Sequence, residues 1–128
     1  MAKMIFDIDI QPFLNAFEKF EQFRSSLETE QKQAGAVQAY EYTFELAWKT
    51  MKRVLDKKGV VVNSPRDTFR EAALNGLIAD PEQWFVFLHK RNLTIHTYEI
   101  DNLKEVLSVF DDFSDAVKLL IQHLESVS

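Results

Sequence analysis

Between Val37 and Leu55 the chain carries an unbroken apolar stripe at helical spacing. Val37, Tyr40, Phe44, Ala47, Trp48, Met51, Val54 and Leu55 recur at three- and four-residue steps, with no Gly or Pro among them. A strand would alternate every second residue, so this segment is a helix with one broad buried face. Lys57 and Lys58 suit the negative end of its dipole, and Gly59 is a good residue to follow its last turn. Breakers are scarce throughout: three Gly and three Pro in 128 residues leave few turns and predict a few long elements.

The same period recurs on both sides. Phe13, Phe17, Phe20, Arg24 and Leu27 predict a first helix from about Pro12 to Glu28, with Pro12 in its first turn. The polar run Glu28-Thr29-Glu30-Gln31-Lys32-Gln33 either continues that helix or forms its turn, and Gly35 lies near the next start. After the stripe, Val60-Val61-Val62 reads as a short extended connection. Ser64-Pro65-Arg66-Asp67 is a helix start: Ser64 caps, Pro65 takes the first position and Asp67 reaches back. That short helix should end near Asn75-Gly76. Asp80-Pro81-Glu82 opens the next, through Trp84, Phe85, Phe87 and Leu88. Asp101 is the expected cap of a last helix carried by Leu103, Val106, Leu107, Phe110, Phe113, Val117, Leu120, Ile121 and Leu124. Short links make neighbours antiparallel. The expectation is an all-α fold, an antiparallel up-and-down four-helix bundle with an extra short helix, forming a single domain over residues 1–128.

Charge and composition narrow the function. The net charge of -5 argues against diffuse attraction to a nucleic-acid backbone. The absence of Cys excludes a disulfide framework and a thiolate metal site. Asp7 and Asp9 follow the N-terminus closely, so no signal peptide is expected there, and no apolar run approaches the roughly 20 residues of a membrane helix. A cytoplasmic protein is expected. Neither phosphate-cradling glycine motif occurs, and no His/Cys pattern suggests zinc. Asp7-Ile8-Asp9 has the form of a Mg²⁺-holding pair, but its place just before a helix reads better as dipole complementation. No metal ligand is assigned.

The most unusual stretch is Lys90-Arg91-Asn92-Leu93-Thr94-Ile95-His96-Thr97-Tyr98. At about 100° per residue, Arg91 and Tyr98 fall near one line, while Arg91 and His96 diverge by roughly 140°. Their convergence requires a break near Thr94 to Thr97, which the β-branched Ile95 and Thr97 favour, or a second copy across a dimer axis. Arg binds phosphate bidentately, His moves a proton near neutral pH, and Tyr offers a hydroxyl as donor or acceptor. Such a group suits metal-free cleavage of an RNA phosphodiester, and equally the holding of a phosphorylated substrate. On the residues alone the plainer reading is the stronger: Arg91 pairs with an acid such as Glu41 or Glu45, and His96 and Tyr98 cap and pack. Glu41, Glu45 and Lys49 line one helical stripe, most simply as a solvated face with one Glu–Lys pair. Arg66 and Arg70 form either an anion patch or a solvated edge.

Gln38-Ala39-Tyr40-Glu41-Tyr42-Thr43-Phe44-Glu45-Leu46-Ala47-Trp48-Lys49 resembles the hallmark second helix of the nucleotidyltransferase substrate-binding protein family. Ser64 to Ala72, Gly76-Leu77-Ile78, Trp84 and Arg91 to Tyr98 follow in that family's order, so the resemblance covers nearly the whole chain. It implies the helical bundle, a homodimer, and a partner: a minimal nucleotidyltransferase chain that holds Mg²⁺ and the nucleoside triphosphate, with no cofactor bound by this chain alone. This chain would then present the acceptor, a small-molecule or RNA substrate, through Glu41, Glu45, Lys49, Arg66 and Asn92. The family belongs to the wider HEPN group, whose R-x4-6-H motif matches Arg91 and His96. Some members are ribonuclease toxins with Arg and His catalytic in a dimer cleft. In related pairs the partner attaches AMP to a Tyr in the position of Tyr98. One departure is Lys90, where relatives often carry an acid. The expected function is the substrate-binding or regulatory subunit; the alternative is the ribonuclease.

Overall fold

The computed structural model describes residues 2–127. Thr29 sets the start of the longest helix: its hydroxyl accepts the Lys32 amide at 3.1 Å, so α2 spans Glu30–Lys57. The polar run before Gly35 is therefore the first turn of α2, not the tail of the helix before it. That helix, α1 (Gln11–Arg24), stops short of the expected Glu28. Gly35 then serves packing: a Cβ there would lie 2.5 Å from Cε1 of Phe23, so the bare backbone lets α1 and α2 close on each other. Gly59 (φ 83) ends α2, with the Val60 amide donating to the Leu55 carbonyl at 2.8 Å.

The next starts follow their capping chemistry. Ser64 accepts the Asp67 amide at 3.2 Å and opens α3 (Pro65–Leu74); Asp80 accepts the Glu82 amide at 2.9 Å and opens α4 (Pro81–Leu93). Two expectations need correction. The last helix is two helices, α5 (Ile100–Leu107) and α6 (Phe110–Val127), and the Ser108 hydroxyl takes the Glu105 carbonyl at 2.6 Å where the first ends. Glu99, not Asp101, precedes α5, and Asp101 sits in its first turn. The chain also opens on an unforeseen hairpin, β1 (Met4–Ile5) against antiparallel β2 (Ile8–Asp9), turned by Phe6 and Asp7 at positive φ. Asp9, one residue before the N-cap Ile10, accepts the Gln11 amide at 2.9 Å, so its carboxylate faces the start of α1. Among the described residues, no group of three or more His, Cys, Asp or Glu could hold a metal, and no helix is long and apolar enough to cross a membrane.

The core is aromatic, and the helices close around it. Phe20 of α1, Tyr40 and Phe44 of α2, Phe69 of α3, Trp84 and Phe87 of α4, and Phe110 and Phe113 of α6 are all essentially buried. Their rings meet in tilted and edge-to-face pairs, the latter including Tyr40–Phe113 at 4.7 Å and Phe20–Phe110 at 5.0 Å between centroids. The Tyr40 hydroxyl donates to the Phe87 carbonyl at 2.7 Å, which satisfies that buried hydroxyl and ties α2 to α4.

A polar clamp joins α1 to α6. Glu21 accepts from Arg24 at 3.0 and 3.1 Å and from Ser114 at 2.6 Å; Lys118 lies 3.6 Å away, and Arg24 reaches Asp111 at 2.8 Å. Burial raises the Glu21 carboxyl, but the hydrogen bonds from Arg24 and Ser114 and the charges of Arg24 and Lys118 outweigh it and leave the pKa below its ordinary value. A depressed folded pKa means stability that is present above the unfolded value and lost as pH falls through the folded one. Thermal unfolding followed from about pH 6 down to about pH 3 should show a fall in Tm that is shallower in Glu21→Gln, which starts lower at neutral pH. Equal slopes would remove Glu21 from the acid sensitivity.

Candidate functional site

The break expected near Thr94 is present. The Thr94 hydroxyl donates to the Arg91 carbonyl at 2.7 Å, α4 stops at Leu93, and Thr94–His96 tighten into a 3-10 turn. The turn does not bring Arg91 to His96: among the described residues no hydrogen bond or ion pair joins them. It brings His96 to Tyr98 instead, with the Tyr98 hydroxyl 3.5 Å from His96 Nδ1 and the rings near perpendicular at 6.0 Å. The Asn102 side chain holds the turn, donating to the His96 carbonyl at 3.3 Å. Tyr98 is 79% exposed and His96 is exposed, so the expectation that both pack does not hold.

Arg91 stays with α2. Its Nε lies 3.2 Å from Glu45 Oε1, the distance of an ion pair, but the N–H direction misses the oxygen and the buried Nε makes no hydrogen bond. The attraction is Coulombic. The other oxygen of Glu45 accepts from the Trp48 ring N–H at 3.1 Å and lies 3.9 Å from Lys49 Nζ. Glu45 is thus the carboxylate on which Arg91, Trp48 and Lys49 converge. Burial pushes the Tyr40 hydroxyl well above its ordinary pKa, against the opposing pull of the Arg91 charge. Lys90 pairs with Glu105 of α5 at 3.5 Å, which gives that position a structural partner.

The sequence-selected residues do not form one cluster. Glu41 turns from Glu45 into a groove of about 680 Å³ between α2 and the Thr97–Leu103 segment, whose lining includes Tyr42, Thr97, Tyr98 and Ile100. Lys49 faces a second groove of about 790 Å³. Asn92 is exposed and takes no part in the contacts around Glu45. Arg66 and Arg70 lie on α3, each 5.3 Å from the centre of the Phe85 ring, with Arg70 also 3.5 Å from Asp67. Their place is explained by the aromatic face they cover. Sequence reasoning missed Tyr42, which is 60% exposed in the first groove with Tyr98. Its signal was an aromatic standing off the apolar stripe.

Comparison with known proteins now decides the family. The profile described as "Nucleotidyltransferase substrate binding protein like" matches residues 8–126. This chain belongs to the nucleotidyltransferase substrate-binding protein family. It is similar to a probable ribonuclease HepT of Haemophilus influenzae, 34% identical over 96 residues, which are 71% of this chain and 66% of that protein's length. A Haemophilus influenzae protein described as having the fold of a substrate binding domain of a nucleotidyltransferase superposes with a TM-score of 0.81 at 28% identity, covering 91% of this chain and 99% of the other. A crystal structure from Thermus thermophilus gives a TM-score of 0.81 at 26% identity, covering 88% and 98%. The all-helical fold of this nucleotidyltransferase substrate-binding family member is the one that those relatives share.

Proposed function

We propose that this chain is the substrate-binding or regulatory subunit of a two-component nucleotidyltransferase in the cytoplasm, working as a homodimer beside a separate catalytic chain that carries Mg²⁺ and the nucleoside triphosphate. The observation that carries the reading is the groove between α2 and Thr97–Leu103. Its volume suits a small molecule, and polar groups from Glu41, Tyr42 and Tyr98 meet apolar ones from Val37 and Leu103 along it. The sequence offers no phosphate cradle of its own. Arg91, the residue best suited to a phosphate, is engaged by Glu45.

A second reading has two observations in its favour. The exposed Tyr98 hydroxyl beside His96 stands where a transferred nucleotide could reach it, and a relative bears the name of a ribonuclease. On this reading Arg91 and His96 act across a dimer cleft and adenylation of Tyr98 silences them.

The test is to express the chain alone and with a minimal nucleotidyltransferase encoded beside it. The expected result is a stable two-chain complex on size exclusion, no growth arrest from this chain alone, and an unchanged intact mass after incubation with Mg²⁺ and ATP. Growth arrest that His96→Ala abolishes, with an AMP adduct on Tyr98, would transfer the assignment to the second reading. Failure to form any complex would overturn the first.

A further inference from the structure

The groove between α2 and Thr97–Leu103 has a charge pattern that its size alone does not explain. No Lys, Arg or His lines it, and its only ionised groups are the carboxylates of Glu30 and Glu41. The two stand eleven residues apart on α2, about 16 Å along the axis and within about 20° of one line. Nearby acids are neutralised: Glu28 pairs with Lys32, and Glu45 with Arg91 and Lys49. Glu30 and Glu41 form no ion pair among the described residues. The helix dipole accounts for Glu30, in the first turn of α2, but not for Glu41 in mid-helix.

Between the two charges the lining is apolar and aromatic. Ala34 and Val37 continue the line along α2, and Ile100 and Leu103 belong to the other wall. Tyr42 and Tyr98 add two exposed rings, surfaces that attract an organic cation. The remaining polar groups offer acceptors. Gln38 donates its amide to the Tyr42 hydroxyl at 3.3 Å and keeps its carbonyl oxygen free; Thr97 donates to the Thr94 carbonyl at 3.3 Å and keeps its lone pairs.

We infer that this groove takes an elongated organic polyamine, with ammonium groups at Glu30 and Glu41 and methylenes along Ala34, Val37, Ile100 and Leu103. A phosphate-bearing ligand finds no cation here, and a nucleic-acid strand would set its charges against both carboxylates. A metal ion would leave the rings and the apolar walls unused, and the two carboxylates are too far apart to share one. The inference deepens the first reading and rests on it for one consequence, that the acceptor presented is an amine-bearing small molecule. The binding itself belongs to this chain alone.

The test is calorimetric titration of the isolated full chain with spermine, whose terminal ammonium groups lie about as far apart, when it is extended, as the two carboxylates. One saturable site per chain is expected. Glu30→Gln/Glu41→Gln should weaken it at least about tenfold, the loss of two charge-assisted contacts, and Tyr42→Ala about threefold, the loss of one ring, while circular dichroism stays that of the parent. Asp112→Asn, an exposed acid of α6 outside the groove, should leave the affinity unchanged. A twelve-carbon terminal diamine, with the charge of putrescine and the reach of spermine, should bind more tightly than putrescine and lose that advantage in Glu30→Gln. No saturable binding, an equal loss in Asp112→Asn and the double variant, equal affinity of the two diamines, or displacement of spermine by Mg²⁺ at the same concentration would each overturn the assignment. Spermine bound as expected by a chain that forms no complex with the nucleotidyltransferase would uphold the polyamine site and sink the first reading. A complex whose parent chain takes no spermine would do the reverse.

Discussion

Phe113→Ala should lower the free energy of unfolding by about 3–5 kcal/mol. Phe113 is fully buried, and its ring centroid lies 5.3 Å from Phe20, 4.7 Å from Tyr40, 5.9 Å from Trp84 and 5.1 Å from Phe87. One side chain of α6 thus touches α1, α2 and α4 together. Truncation removes the transfer energy of the ring and leaves a cavity whose walls are themselves rigid rings, which collapse poorly. For a chain of this length the loss corresponds to a fall in Tm of roughly 10–20 °C. Denaturant and thermal unfolding would read both. Leu119→Ala, a partly exposed position on the same helix, is the control and should change stability by less than about 1 kcal/mol. A Phe113→Ala protein no weaker than the control would mean that the four helices do not meet at this residue.

Much of this core could be read from the chain. The stripe from Val37 to Leu55 placed Tyr40 and Phe44 inward, because helical period and burial are one fact seen twice. The start of α3 was legible because capping is local chemistry: Ser64 takes the Asp67 amide within one turn and Pro65 stands in the first position, while the Asp67 carboxylate pairs with Arg70 and does not reach back to Ser64 as expected. The hairpin was not legible. Two strands of two residues are too short to show alternation, and their turn uses Phe6 and Asp7 in place of a glycine signal. The division of the last helix was hidden too, since Val106, Phe110 and Phe113 keep helical spacing across it while a serine hydroxyl takes the carbonyl that precedes the break.

The site divides in the same way. The pairing of Arg91 with an acid of α2 was foreseen as a choice between Glu41 and Glu45, and only packing of α4 on α2 could select Glu45. The break after Leu93 was legible from the β-branched residues, yet where it would send Tyr98 was not, because a 3-10 turn redirects everything beyond it.

The Glu45–Arg91 pair should show a favourable coupling of about 1–2 kcal/mol in a double-mutant cycle. Both side chains are only partly exposed, at 34% and 28%, so solvent screens the pair less than at an open surface, though more than in a core. Glu45→Ala removes more than one contact, since Trp48 and Lys49 also lean on that carboxylate, and leaves the guanidinium of Arg91 without its counter-charge. Its single-mutant cost should therefore exceed that of Glu41→Ala, one turn earlier and facing the open groove, which should stay within about 0.5 kcal/mol. The cycle of Glu45→Ala, Arg91→Ala and the double variant, read by urea unfolding, isolates the pairwise part from the Trp48 and Lys49 losses. The value also bears on function. A strong coupling fixes Arg91 to α2 and keeps it from His96 of its own chain, in line with a subunit that presents a substrate. A coupling near zero would leave Arg91 free to turn toward a phosphate, and the ribonuclease reading would then gain its missing residue.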